Sequence, residues 1–354
     1  MKETDFAFLK ELVEAPSPTG WEKPAAEVLR ARLEKSADEV TTDCLGSVHA
    51  LLRGSDAQAP SVALAAHLDE VGLIVTYITP EGYLSFSALG GVDAAILPGL
   101  RVDIHTDSGT VLGVLGRKPI HLIEADERKT VTPIEKLFID VGLPADEVKK
   151  RVRVGDPITV HAGLETFGEG LIVSRALDDK MGAWIAARVL EELKDSGGAK
   201  SDYWCVGSVQ EEIGMRGGAT SAYALDPDIF IAIEVCHATD YPDIDKRSHG
   251  EQIVGKGPVF GRGPNINHAV LARLEQAADK LGLAYQLEVE PRATGTDANP
   301  AQLARGGKIT ALVSIADRYM HTPTEVVSLV DMENCVQILK QFILDLDAST
   351  DLSV

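Results

Sequence analysis

The sequence predicts an α/β fold, a mainly parallel sheet flanked by helices, with a small all-β domain inserted into it. Three observations carry this expectation. After Gly170 apolar strand-like runs and amphipathic helical runs alternate, the pattern of a sheet covered by helices. Between Val71 and Glu165 the helical spacing disappears, and short β-branched runs are separated by Gly, Pro and Asp. Before Val71 two helical patterns precede an apolar run that has the length of one buried strand.

Taken in order, Phe6, Leu9, Leu12 and Val13 recur at helical spacing, and Pro16 to Gly20 end that helix before a second over about Lys23 to Leu33. Ser61 to Ala66 runs apolar into His67. The β-rich stretch contains Gly72 to Ile78, Leu100 to His105 and Thr110 to Leu115. Beyond it come a strand at Leu171 to Val173, a helix at Lys180 to Lys194, and strands at Tyr203 to Val209 and Ile229 to Val235. A helix at Ile266 to Leu281, a strand at Ile309 to Ile315 and a helix near Met332 to Leu346 complete the pattern. The expected organisation is a catalytic domain from 1–70 and 166–354 with an inserted β-rich domain at 71–165.

The chain has 354 residues, 45% hydrophobic and 25% charged, as in a soluble globular protein large enough for a sizeable core. Its net charge of −20 argues against gripping a polyphosphate backbone, which requires a basic stripe, so nucleic acid is not an expected partner. Cys44, Cys205, Cys236 and Cys335 lack paired spacing and read as buried reduced thiols. MKETDFAFLKELVEA is acidic and amphipathic where a secretory signal would be continuously apolar. No run approaches the roughly 18 apolar residues that span a bilayer. The expected location is the cytoplasm, away from membranes.

The chemistry gathers where apolar runs end: His67-Leu68-Asp69-Glu70, Ala176-Leu177-Asp178-Asp179-Lys180, Gln210-Glu211-Glu212, Glu234-Val235-Cys236-His237 and Met320-His321-Thr322-Pro323. In an open parallel sheet, ligands bind beyond the carboxyl ends of the strands, so these distant clusters could converge. Imidazoles with several carboxylates suit zinc, cobalt or manganese. Singly, each has a plainer explanation, such as a core histidine or a solvated helix N-terminus; recurrence behind successive strands favours one site. Gly255 to Gly263 lacks the spacing of a phosphate-binding motif and reads as an ordinary loop. Asp297 is a plausible helix cap, with or without a place in the substrate wall, and His49, His105, His121, His161, His249 and His268 have no partners at ligand spacing.

The strings AAHLDEVG, SRALDDKMG, QEEIGMRGG, FIAIEV and RYMHTPTEVV resemble the metal-site motifs of the M42 metallo-aminopeptidases, the glutamyl and tetrahedral aminopeptidase group of the co-catalytic metallopeptidase clan. LFIDVG, GTDA and GGKITALVSI add to the likeness, which runs along essentially the whole chain. The resemblance implies a zinc-peptidase-like fold and two divalent ions bridged by Asp178. His67 and Glu234 would complete one site, and Glu212 and His321 the other. Glu211 would be the general base, Asp69 would hold the far nitrogen of His67, and the peptide bond between Asp178 and Asp179 would be cis.

Where many members carry Asp, this chain has Glu234, one methylene longer and still an oxygen donor; His237 and Asp240 are the nearby alternatives. Two such ions sharing a hydroxide would hydrolyse the amino-terminal bond of short peptides. Relatives assemble as dimers and dodecamers through the inserted domain, so a homo-oligomer is expected. A two-metal deacylase acting on N-acyl amino acids, an endoglucanase label carried by some relatives, and a non-catalytic scaffold are the competing readings.

Overall fold

The computed structural model describes residues 1–124 and 127–353; Ala125 and Asp126 of the expected insertion, and Val354, lie outside the described residues. The chain opens with α1 (Glu3–Glu14) and α2 (Lys23–Leu33), whose Leu9, Leu12, Leu29 and Leu33 are buried. A hairpin follows, β1 (Glu39–Thr42) and β2 (Val48–Leu52), and then β3 (Val62–His67), buried along its whole length. That burial on both faces is why β3 reads as a continuous apolar run with no alternation.

The chain then leaves the sheet to build a closed six-stranded barrel. Its strands are β4 (Gly72–Ile78), β5 (Leu84–Leu89), β6 (Arg101–Thr106), β7 (Gly109–Gly116), β8 (Phe138–Asp140) and β9 (Pro157–Val160), with α3 (Ala145–Arg151) before β9. Closure leaves no free edge. The barrel has its own apolar core, which includes Leu73, Phe86, Ile104, Ile139 and Ile158. β10 (Glu165–Phe167) and β11 (Leu171–Ser174) lead back to α4 (Leu177–Asp195).

The remaining elements are β12 (Tyr203–Ser208), α5 (Arg216–Leu225), β13 (Ile229–His237), α6 (Lys246–His249), β14 (Val259–Arg262), α7 (His268–Leu281), β15 (Gln286–Val289), α8 (Ala298–Gln302), β16 (Ile309–Asp317), β17 (Glu325–Ser328) and α9 (Leu329–Leu344). Asn267 caps α7 by accepting from the amides of Ala269 and Val270, and Gly282 at φ 66° ends it in the left-handed conformation that a residue without Cβ adopts most easily. Ser328 caps α9, accepting from the Asp331 amide, so that helix starts three residues earlier than apolar spacing suggests.

The main sheet runs β1-β2-β12-β3-β13-β16-β14-β15. It is mixed, which corrects the expectation of a mainly parallel sheet. β12, β3, β13 and β16 are mutually parallel, but β2 joins β12, and β14 joins β16, antiparallel. The short turn between β1 and β2 allows no crossover, so those strands must also run antiparallel. One face is covered by α1, α2, α4, α7 and α9 and holds the larger core around Trp184, Ile231 and Leu339; Ala63, Val206, Phe230 and Ala301 pack on the other, under α5 and α8.

Two further expectations are corrected. Cys44 is exposed, in the hairpin turn, whereas Cys205, Cys236 and Cys335 are buried; all are free thiols. Asp297 makes no side-chain cap to α8. Its carboxylate turns inward to accept from Ser208 Oγ at 2.5 Å and fills the space above Gly218, where an added Cβ would lie 2.3 Å from the carboxyl carbon.

Candidate metal centre

The parallel strands β12, β3, β13 and β16 point their carboxyl ends the same way, and the chemistry collects there. His67 is the last residue of β3, Glu234 lies in β13 and Glu212 follows β12. His321 is in the loop after β16, and Asp178 is at the kinked start of α4, where its peptide bond to Asp179 is cis. His67 Nε2 lies 3.0 Å from Asp178 Oδ1 and 3.8 Å from Glu234 Oε2. His321 Nε2 lies 3.3 Å from both Asp178 Oδ2 and Glu212 Oε1. Two three-residue donor clusters therefore share Asp178, one carboxylate oxygen facing each histidine.

The ligand-bearing segments are fixed mainly by hydrogen bonds to main-chain atoms. His67 Nδ1 lies 2.9 Å from the carbonyl oxygen of Asp69 and 3.6 Å from its carboxylate. Asp69 thus faces the far nitrogen of His67 with both groups, its carbonyl oxygen being the nearer. The carboxylate also accepts from the amides of Glu211 at 3.0 Å and Glu212 at 3.1 Å, so it sets the turn that carries both residues. Asp179 accepts from the His67 amide at 3.2 Å. Glu325 accepts from the amides of Leu177 and Asp178 through one oxygen and from the His321 amide through the other.

His321 Nδ1 lies 2.9 Å from the carbonyl of Gly91, which belongs to the barrel loop between β5 and β6. Non-glycine residues at positive φ concentrate in the same segments: Ala176, Gln210, Met215, Tyr319 and His321. Such backbone is costly and persists where surrounding contacts over-determine it, as around functional sites.

Glu325, Gly91 and Arg175 were not singled out from the sequence, and Glu70, Asp179 and Lys180 were named only as members of the clusters at the strand ends, without the hydrogen bonds and ion pairs they make. Glu325 stands inside the quoted string RYMHTPTEVV, but a carboxylate whose partners are distant amides leaves no spacing signal. Of the other candidates, Asp240 pairs with Arg318 at 2.6 and 2.7 Å, and His237 lines the cavity outside both donor clusters. His49, His105 and His161 are bonded to Ser221, Thr159 and Asp103.

The electrostatics fit a cationic occupant. Burial alone would lower the His67 pKa, yet Glu234 and Asp178 push it well above the usual value. Hydrogen bonds to Asp178 and Glu212 raise His321 to about 11. Burial pushes Glu234 well up, with Asp179 adding like-charge repulsion, and lifts Glu211 to about 8. Asp178 stays well below the carboxylate range because both histidines offset its desolvation. No lysine or arginine forms an ion pair with Asp178, Glu211, Glu212 or Glu234 among the described residues, so the carboxylates have only the two imidazoles beside them. Divalent cations at the two nitrogen and oxygen donor sets would answer the same charge.

Together the fold and the two donor clusters fit the class of metal-dependent hydrolases. The model of the M42 glutamyl aminopeptidase family matches residues 46–338, and the chain belongs to that family; it is a peptide-bond hydrolase. It is 34% identical to lysyl aminopeptidase of Pyrococcus furiosus over 97% of both chains. Its structure superposes on a TET aminopeptidase from a marine sediment archaeon of the Thaumarchaeota with a TM-score of 0.92, at 33% identity, covering 98% of this chain and 97% of the other. It also matches the TET1 peptidase of Pyrococcus horikoshii, which can assemble into a tetrahedron or an octahedral shell. There the TM-score is 0.84 at 25% identity, covering 96% and 99% of the two chains.

Proposed function

We propose that this enzyme removes N-terminal residues from short peptides using two divalent ions, zinc, cobalt or manganese. His67, Asp178 and Glu234 would hold one, and Asp178, Glu212 and His321 the other. The observation that carries this is Asp178, whose two oxygens face separate histidine-containing clusters. When bound, such an ion pair supplies an activated water and polarises the scissile carbonyl.

Glu211 lines the same cavity, lies outside both donor clusters, and is anchored through its amide to Asp69. It would take the proton from the attacking water and return it to the departing amine. The longer side chain of Glu234 reaches the His67 cluster without help from His237 or Asp240. The relatives reported above are peptidases, which favours this reading over the deacylase, endoglucanase and scaffold readings.

We further propose that residues 71–165 form a domain that mediates self-association, and that the protein is a cytoplasmic homo-oligomer. Among the described residues no helix is long and apolar enough to cross a membrane.

Neighbouring substitutions test the catalytic assignment. Glu211→Gln is expected to lower turnover at least about a hundredfold while both ions remain bound. Glu212→Gln is expected to lose affinity for one ion and to recover in part with excess metal. Metal analysis with turnover measured against metal concentration decides it: the reverse pattern exchanges the two roles, and near-normal turnover in both variants removes the site.

A further inference from the structure

The metal ligands open on a cavity of about 460 Å³ whose far wall includes β15. Two residues of that wall, Glu288 and Glu290, belong to neither donor cluster. We propose that they read the side chain of the substrate's first residue, and that the enzyme prefers peptides beginning with lysine or arginine. This rests on the aminopeptidase function proposed above and adds the substrate class to it.

Glu288 and Glu290 are two apart along an extended segment, so their side chains leave the same face, toward the cavity. Leu287 and Val289, 40% and 76% exposed, lie on the opposite face. Arg262 on β14 is in register with Val289 and therefore projects to that opposite face, away from the two carboxylates. Glu288 accepts from Ser314 Oγ at 3.3 Å. Neither glutamate has a lysine or arginine partner among the described residues, and no lysine or arginine lines the cavity.

Asp178, Glu212 and Glu234 also line it, but their charge is committed to the histidines and to the cations those clusters would hold. Glu211 lines it too, beside the donor clusters and assigned above to proton transfer; that leaves Glu288 and Glu290, on β15 and just after it, as carboxylates facing the space with neither a counter-ion nor another role. The cavity also presents Met215, Val235, Leu312 and Met320. A lysine or arginine has the matching form, an aliphatic stem that packs on apolar surface and a cationic end that needs carboxylates. A glutamyl side chain would bring a third carboxylate to the pair with no cation to receive it.

The test compares lysyl, arginyl, leucyl and glutamyl p-nitroanilides on metal-loaded wild type, Glu288→Gln, Glu290→Gln and the double variant. Binding of lysinol and norleucinol, which cannot be hydrolysed and differ only in the side-chain ammonium group, is measured in parallel by calorimetry. Wild type is expected to favour lysyl and arginyl over glutamyl substrates. Each single variant is expected to lose about tenfold in kcat/KM for lysyl substrate, as when a charge-assisted hydrogen bond is removed, and to hold leucyl turnover within about threefold. Lysinol is expected to bind about tenfold more tightly than norleucinol to wild type and equally to the double variant.

Equal binding of lysinol and norleucinol by wild type overturns the proposal, as does preferred cleavage of glutamyl substrate. An equal loss on lysyl and leucyl substrates also overturns it, because the pair would then hold the α-ammonium group common to both. Failure to cleave any aminoacyl substrate would instead count against the aminopeptidase function, while the ratio of lysinol to norleucinol binding still reads the wall.

Discussion

Gly91 shows how closely the barrel serves the donor set. Its carbonyl faces His321 Nδ1, and a Cβ added at this glycine would sit 3.0 Å from the same nitrogen. Gly91→Ala should turn the imidazole, and the expected result is affinity for one of two ions lower by about tenfold, the low end of what losing an outer hydrogen bond costs a metal site. Metal titration by calorimetry checks this, with the melting temperature expected to stay put. Glu325→Gln replaces one of the acceptors that hold Asp178 and His321 with an amide group, and its effect should fall on both sites together. The convergence of the candidate ligands was legible because histidine and acids recur behind apolar runs. Gly91, Glu325 and the hydrogen bond made by Asp179 were not, because they act through or upon main-chain atoms mostly more than a hundred positions away, and the sequence carries no mark of such pairings. Asp69 was named beside His67, but its hold on the amides of Glu211 and Glu212 had no sequence signal.

At the scale of elements, α1, β3 and α4 are tied by a buried ion cluster just behind the site. Glu70 accepts from the Ser17 amide at 3.0 Å and from Lys180 Nζ at 3.1 Å, and is paired with Arg175. Lys180 also donates to the carbonyls of Val13 and Ala15, and Arg175 to that of Glu14, closing the end of α1. Burial would raise the Glu70 pKa, but Arg175 and Lys180 hold it at about 2 against an ordinary 4.5. Its charged form is therefore favoured by folding: the contribution is complete above pH 4.5 and is lost as pH falls toward 2. Glu70→Gln is expected to destabilise by about 3 kcal/mol at pH 7, leaving two buried cations under-compensated, with the deficit shrinking on acidification. Urea unfolding of both proteins from pH 7 to pH 3 measures it, and a pH-independent difference would show that Glu70 is not titrating this way. The central strands were legible from unbroken apolar runs such as Ile229 to Val235. The direction of β2 and β14 was not, since it depends on turn length and partner choice rather than on side-chain pattern.

For the molecule as a whole, the closed barrel offers no strand edge for association, so any contact through it must use side chains on its outer surface. Leu112 and Val114 stand outward on β7, 50% and 47% exposed. If the barrel mediates assembly as proposed, Leu112→Asp with Val114→Asp should shift sedimentation toward smaller species while leaving the unfolding temperature nearly unchanged; unchanged sedimentation would exclude this face. The alternation of strand and helix made the α/β class readable, and loss of helical spacing after Val71 made the barrel segment stand out. The wrapping of that segment back onto His321 depends on three-dimensional closure and has no linear trace. One consequence of the layout concerns time. β3 bears the first ligand, yet its neighbours β12 and β13 come more than a hundred positions later, and the last ligand, His321, follows β16. During synthesis, which proceeds from the amino end at about 5–20 residues per second, no earlier segment can assemble both clusters. On the proposed assignment, the nascent chain would be inert toward other unfolded polypeptides until nearly all of it has emerged, and the proteolytic capability would arrive in one late step.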